Sequence, residues 1–321
     1  MRILVVTNMY PGHDERYPYV GIFVKEQVDC LVDHNTVEVL VIEGFRGFLH
    51  YVWGFFRAWK TCLLGRHDVV HVHYGLTAAF IPLLPVSFKK KVIVTLHGGD
   101  ILPAQGRHVQ VAITRRCIAH AGLVLCVSEE MAQAARPHAR RVEILPCGVD
   151  DRFFQPAIAR SSPLPVKVIF PGDPHRAVKN HGLFQSAIAA YQHLFGPVEV
   201  VVLHKLTREQ VLRAMQTSSA LLLTSISEGS PQVVKEALAC DIAVVSSDVG
   251  DVRDLMASTP GTGIFSEAAT PDAIARLLHG CIQQCTEYPG ARRQRVRAAG
   301  VSAEQVMQRL EVFYSSLAQR P

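Results

Sequence analysis

Apolar residues fall along this chain in short unbroken runs, separated by longer stretches with helical spacing. The runs of the first half are Ile3–Thr7, Val37–Ile42, Val69–His73, Val92–Leu96, Leu123–Val127 and Val142–Leu145. A strand buried on both faces needs such continuity, whereas a half-solvated strand alternates. Phe23–Val32, Thr77–Leu84 and Val109–Ala119 carry helical spacing between them. The rhythm restarts after Arg160-Ser-Ser-Pro-Leu-Pro165, whose Ser/Pro punctuation reads as a linker. Beyond it lie strands at Val166–Phe170, Val198–Leu203, Ala220–Thr224 and Ala243–Ser246, with helices over Leu183–Leu194 and Arg208–Thr217. Ser302–Gln319 places Val306, Leu310, Phe313 and Leu317 at helical spacing. This alternation predicts an α/β protein of two doubly wound parallel-sheet domains facing across a cleft. The first is expected over 1–155 and the second over 156–300, with a helix in 301–321 packing back toward the first. Ligand belongs at the C-terminal ends of the strands.

Composition narrows the class. Of 321 residues, 49% are hydrophobic and 19% charged, which excludes a disordered chain. The net charge of +5 is not gathered into one run, so no nucleic-acid partner is expected; it suits anionic substrates or an anionic membrane face. None of the eight cysteines forms a Cys-x-x-Cys pair, which reads as buried free thiols in a reducing cytosol. Cys281 and Cys285 stand one helical turn apart, and His71-x-His73 points two imidazoles to one strand face, each pair without a third ligand nearby. Neither pair completes a metal site. Met1–Thr7 is too short for a signal-peptide core, and no stretch approaches 18 uninterrupted apolar residues.

The chemistry concentrates in Glu228-Gly-Ser-Pro-Gln-Val-Val-Lys-Glu236. A buried strand precedes it, and a helix, a turn and another strand follow. Pro231 suits the first helical position, because its missing N–H would be unpaired there anyway. Gly229, Ser230 and Pro231 then open the helix N-terminus toward an anion. Glu228 sits on the loop and Glu236 about two turns along the helix, roughly 8 to 9 Å further on. Phosphates on the helix N-terminus and hydroxyl-bearing rings on two carboxylates would together hold a nucleotide sugar.

Phe170-Pro-Gly-Asp-Pro-His-Arg-Ala-Val-Lys-Asn180 ends another strand. Gly172 permits close approach of backbone to ligand, while Arg176 and Lys179 offer two cations to a departing pyrophosphate. In the first half, Thr95-Leu-His-Gly-Gly-Asp100 ends a strand with His97 able to donate to sugar hydroxyls or phosphate and Asp100 able to orient hydroxyls. His73 packs or lines the cleft. Gly12 and Gly21 bracket a Tyr- and Pro-rich loop, and Gly21 opens a helix near the expected cleft. No Walker A loop, Gly-x-Gly-x-x-Gly after the first strand or Gly-x-Ser-x-Gly elbow is present, which weakens NTPase, dehydrogenase and serine-hydrolase readings.

Taken together these motifs resemble a family-4 retaining glycosyltransferase of the GT-B fold, with two Rossmann-like domains. The parts are the Gly21 loop, Asp68–Gly75, Thr95–Asp100, Val127-Ser-Glu129, Leu145–Asp150, the Arg176/Lys179 loop, Glu228–Glu236 and Ser246–Gly250. The resemblance implies sugar transfer from a nucleotide-diphospho-sugar (a hexosyl- or related transferase) to a glycan, glycolipid or small-molecule acceptor, with no cofactor and no metal. It implies a donor bound mainly by the second domain: Arg176 and Lys179 on the diphosphate, Glu236 on the ribose, Glu228 on the transferred sugar. His97 would reach sugar or phosphate from the first domain, with Asp100 and His73 on the acceptor side. The chain departs from the family at Asp173, where an Arg is usual; a longer loop brings Arg176 to the same place. A nucleotide-sugar epimerase of the same fold, or a non-catalytic nucleotide-sugar-binding protein, are the alternatives.

Phe45–Leu64 holds both tryptophans together with Arg46, Arg57 and Lys60, and Lys89-Lys-Lys91 follows another apolar stretch. If helical, Phe45–Leu64 either packs its aromatic face into the core or lies in the headgroup region of an anionic membrane. A cytoplasmic protein is expected in either case; the second alternative makes it peripheral at the inner face of the membrane, with a lipid-linked sugar or a glycolipid as acceptor.

Overall fold

Two parallel sheets organise the protein, as a computed structural model describes it over residues 1–13, 20–102, 108–157 and 165–319. The first comprises β1 (Arg2–Thr7), β2 (Thr36–Val41), β3 (Val69–His73), β4 (Val92–Leu96), β5 (Leu123–Cys126) and β6 (Val142–Ile144) in the order β2-β1-β3-β4-β5-β6. The second comprises β7 (Val166–Phe170), β8 (Val198–Val202), β9 (Ala220–Leu223), β10 (Ala243–Ser247) and β11 (Thr262–Phe265) in the order β11-β10-β9-β7-β8. The chain divides into two compact units, Met1–Cys147 with Val306–Pro321, and Gly148–Gln305. The doubly wound α/β class is as expected. Most of the proposed linker, Arg160–Pro165, lies outside the described residues, as do residues 14–19 of the loop before Gly21.

Continuity of apolar residues tracks position in the sheet. β3, β4, β5 and β9 are buried at every residue and lie inside their sheets. β8 is an edge strand with no fully buried residue, and β2 alternates in the way a half-solvated strand does. In the first unit, Val306, Leu310, Tyr314 and Leu317 of the helix Ala303–Ala318 pack on Ile3, Val5, Leu31 and Ile93. The buried aromatic is therefore Tyr314, with Phe313 only partly covered, one residue from the expected register.

One helix expectation is corrected. Thr77–Leu84 forms a 3₁₀ run, Gly75–Leu83, and not an α-helix. Pro82 inside it lacks the N–H an α-turn needs, and Gly75 presses so closely on Thr114 that a Cβ there would lie 2.2 Å from the threonine methyl.

The basic helix Ala291–Ala298 explains part of the positive charge. Arg292, fully buried, donates to the carbonyls of Asp241 and Pro260 and pairs with the Asp241 carboxylate at 2.9 Å. Arg293 donates to the carbonyls of Phe154, Ala239 and Asp151, and Arg295 to that of Leu255. These guanidinium groups satisfy chain ends left open where helices and loops stop. They are structural cations, which a charge count cannot tell from a ligand-binding patch.

Candidate functional site

In an open α/β sheet, ligands collect where strand order reverses, outside the carboxyl ends of the strands. In the second sheet the order reverses between β7 and β9. The loops leaving these two strands carry Lys179 and Glu228. Lys179 Nζ donates to Glu228 Oε1 at 2.7 Å, and the Ser225 hydroxyl donates to the same oxygen at 2.7 Å. Both charged side chains are mostly covered, 14% and 20% exposed.

The β7 loop is shaped to deliver Lys179. Asp173 Oδ1 accepts the His175 N–H at 2.9 Å, which holds the Asp173 carboxyl below its usual range and folds the loop back. Ala177–Lys179 is one 3₁₀ turn, closed by Asn180 in the left-handed conformation at φ 49°. Gly172, at φ +126°, lies where a Cβ would stand 3.1 Å from Lys179 Cε. Its missing side chain thus leaves room for the lysine stem, a use not anticipated from the sequence. Arg176 on the same loop is exposed, with no ion-pair partner among the described residues. Further bonds join this loop to the end of β9. The Thr224 hydroxyl donates to the carbonyls of Lys179 (3.0 Å) and Asn180 (3.1 Å), and the Ile226 N–H donates to Val178 at 2.9 Å.

The Glu228–Pro231 loop is braced by the loop after β10. Gly250, at φ +58°, sits against it so tightly that a Cβ would come within 2.5 Å of the Gly229 carbonyl oxygen. Ser230 donates to Asp251 Oδ2 at 2.6 Å and accepts from the fully buried Lys235 ammonium. Pro231 stands one position earlier than expected, as the N-cap of the helix Gln232–Ala239 with extended ψ of 108°. Glu236 falls in the body of that helix, almost wholly buried, and accepts from Arg208 Nη1 at 2.7 Å. The Arg208 guanidinium lies 4.6 Å above the Phe154 ring centroid. Arg208, Ser225, Lys235 and Asp251 are thus site residues that sequence reasoning missed. Only Thr207-Arg-Glu-Gln210 carried a signal: its Thr/Gln spacing is that of a capping box, which the structure forms, and it fixes Arg208 in the first helical turn.

In the first sheet the order reverses between β1 and β3. Gly21, at φ +82°, starts the helix Ile22–Val32 so close to the loop after β1 that a Cβ would meet the Met9 carbonyl oxygen at 2.2 Å. His97, past the end of β4, is part-exposed, and the Phe23 ring covers it at 4.7 Å between centroids. Asp100 is completely buried. Its carboxylate accepts the N–H groups of Gly75 (3.0 Å), Gly98 (2.9 Å) and His97 (3.1 Å). Burial raises its pKa, and these backbone donors oppose the rise. His73, also buried, places Nδ1 3.2 Å from His97 Nε2. Burial pushes His97 down to about 3 and His73 well below its ordinary value, so both imidazoles are neutral at pH 7.

The helix Phe48–Leu64 separates its two faces. Small residues Gly54, Ala58 and Cys62 form the buried stripe, with Tyr51, Phe55 and Trp59 partly covered beside it. Phe48 (79% exposed), Leu49 (77%) and Trp53 (62%) face solvent, and the exposed Arg57 and Lys60 lie on the same helix. Trp59 Nε1 donates to the Leu83 carbonyl at 3.3 Å, which brings the exposed side chains of Leu83 and Val86 alongside. Among the described residues, no helix is long and apolar enough to cross a membrane.

Comparison with known proteins agrees with this geometry. The family model for Glycosyltransferase Family 4 matches residues 2–153, and that for Glycosyl transferases group 1 matches residues 166–295. TuaC of Bacillus subtilis (strain 168), described provisionally as a teichuronic acid biosynthesis glycosyltransferase, is 26% identical over 240 residues. The match covers 66% of this chain and 61% of TuaC, so the chain spans about three fifths of that relative. Among solved structures, sucrose-phosphate synthase from Thermosynechococcus elongatus aligns with a TM-score of 0.76 at 14% identity, covering 99% of both chains. Anabaena HepE in complex with UDP aligns with a TM-score of 0.69 at 14% identity, covering 98% of this chain and 100% of HepE. At such identities these two likenesses establish the fold, while the two family models between them take in most of the sequence. The chain belongs to the family-4 glycosyltransferases and has their GT-B architecture.

Proposed function

We propose that the protein transfers a sugar from a nucleoside-diphosphate sugar to an acceptor hydroxyl, retaining the donor's anomeric configuration and using no metal. The observation that carries this reading is the Lys179–Glu228 pair at the reversal point of the second sheet, with the exposed Arg176 on the same loop as Lys179. In transfer, the bond from the anomeric carbon to the phosphate oxygen breaks, and its electron pair leaves with the diphosphate. A bond to the acceptor oxygen forms, and the acceptor's proton passes to the departing phosphate. Lys179 and Arg176 neutralise the charge that builds on the leaving group. Glu228, released from Lys179 when the diphosphate takes the lysine, faces the sugar. Gly229, Ser230 and Pro231 present the helix N-terminus to phosphate, and Glu236, oriented by Arg208, takes the ribose hydroxyls. From the first unit, His97 contacts the sugar or phosphate, Gly21 shapes the entry loop, and Asp100 holds the loop that carries His97. HepE, which shares the fold, has been solved with UDP-glucose, which favours a nucleotide-sugar donor here. Incubation with a panel of nucleotide sugars and a lipid or glycan extract should yield a glycosylated product whose NMR anomeric coupling matches the donor. An inverted product would contradict the assignment.

In this reading the acceptor lies at an anionic membrane face on the cytoplasmic side, and the exposed aromatic surface of Phe48–Leu64 supports it. Apolar rings flanked by Arg57 and Lys60 fit a headgroup region, which accepts the rings and attracts the cations. Vesicles of phosphatidylglycerol should sediment the protein at low salt, and neutral vesicles should not. Reversal of Arg57 and Lys60 to Glu should abolish sedimentation, and salt should weaken it within the range where the Debye length shortens to about 8 Å. A protein left in the supernatant with anionic vesicles at low salt would remove the membrane from the account and favour a soluble acceptor.

A further inference from the structure

Three histidines stand in a row on the first sheet. His71 and His73 share one face of β3, their ring centroids 4.2 Å apart, and His97 stacks beyond His73 at 5.4 Å and 19°. The row is anchored at its inner end. His71 Nδ1 lies 2.7 Å from the Tyr314 hydroxyl, and its Nε2 lies 2.7 Å from Thr95 Oγ1. Burial holds the imidazoles neutral.

A neutral imidazole carries one N–H, so each ring nitrogen here is either a donor or an acceptor. The Tyr314 hydroxyl is fully buried and has no other acceptor among the described residues, so its proton points at His71 Nδ1. His71 is then protonated at Nε2 and donates to Thr95. The link between His73 Nδ1 and His97 Nε2 also holds one proton. If His97 donates, His73 Nδ1 must be bare and both rings carry their proton on Nε2. If His73 donates, His97 Nε2 is bare and both rings carry it on Nδ1. Either way the two rings share a tautomer. The remaining nitrogen of His97, Nδ1, takes its polarity from that choice.

We propose that His73 is a positioning residue that fixes the tautomer of His97, and so decides whether His97 Nδ1 donates to or accepts from the sugar donor. Its effect on transfer rests on the function proposed above; the tautomer coupling itself does not.

Nitrogen-15 spectra of the imidazoles in the full-length, ligand-free protein separate the two. His73 and His97 should show one and the same tautomer, each in a single form. His73→Phe keeps a ring but removes the link, and His97 should then populate both forms. His73→Asn, whose amide can serve at the Nδ1 position, should restore one. In transfer assays His73→Phe should lower kcat about tenfold with donor KM within twofold, the size of one lost hydrogen bond, and His73→Asn should recover most of it. Opposite tautomers in the native protein, or a His97 spectrum unchanged by His73→Phe, would overturn the coupling. A kcat unchanged in a folded His73→Phe would overturn the positioning role. Absence of any transferase activity with intact tautomer coupling would instead count against the proposed function alone.

Discussion

Replacing Glu228 by Gln is expected to lower kcat by about 10²–10³-fold, the usual scale for one electrostatic group acting on a transition state. The substitution keeps the side chain's size and an acceptor oxygen, so the bonds from Lys179 and Ser225 can persist. What it removes is the negative charge that, on the proposed function, faces an anomeric carbon gaining positive charge as the diphosphate departs. Because that charge develops only in the transition state, KM should change little beside kcat. Stability should also change little, since the loop is braced by Gly250 and by the Thr224 and Ile226 bonds, none of which involves the Glu228 side chain. Steady-state kinetics with a thermal melt on the same preparation checks both halves. A glutamine variant within threefold of the native kcat would exclude Glu228 from the chemical step.

Lys179→Ala should weaken nucleoside-diphosphate binding by about 1.5–3 kcal/mol, the range for a hydrogen bond to a charged group. Two effects act in the same direction. The ammonium that would meet the diphosphate is gone, and Glu228 is left mostly covered without its counter-charge, an anion beside the proposed phosphate site. Arg176 remains on the loop, so binding should weaken and not vanish, and the double variant Arg176→Ala/Lys179→Ala should fall further. Calorimetry at two ionic strengths gives the check: native affinity should drop with salt more steeply than that of the alanine variant.

The strands were legible because burial on both faces forces continuous apolar sequence, and the central strands of both sheets satisfy that condition along their whole length. β11 was not, since Thr262-Gly-Ile-Phe265 is a four-residue edge strand with a glycine inside it. Glu228, Lys179 and His97 were visible as polar residues just past strand ends, where a doubly wound sheet opens to ligand. Arg208 and Lys235 were not visible, because a charged residue in a helix reads as solvated until the fold buries it. Arg208 meets Glu236 across elements 28 positions apart, and no local spacing announces such a pair. Tyr314 reaches His71 from 243 residues away, and the helical pattern alone favoured its neighbour Phe313. The aromatic stretch divides by face in a way its composition does not announce: small residues mark the packed stripe of Phe48–Leu64, and its most exposed apolar side chains lie off it.

The most direct test of the account is whether the protein binds a nucleoside diphosphate through the loops after β7 and β9. Titration calorimetry with UDP, GDP, ADP and TDP in metal-free buffer should find at least one that binds one to one, with that affinity reduced in Lys179→Ala by roughly tenfold or more. If none of the four binds the native protein, or if the one that binds does so equally well without Lys179, the site described here is not the donor site.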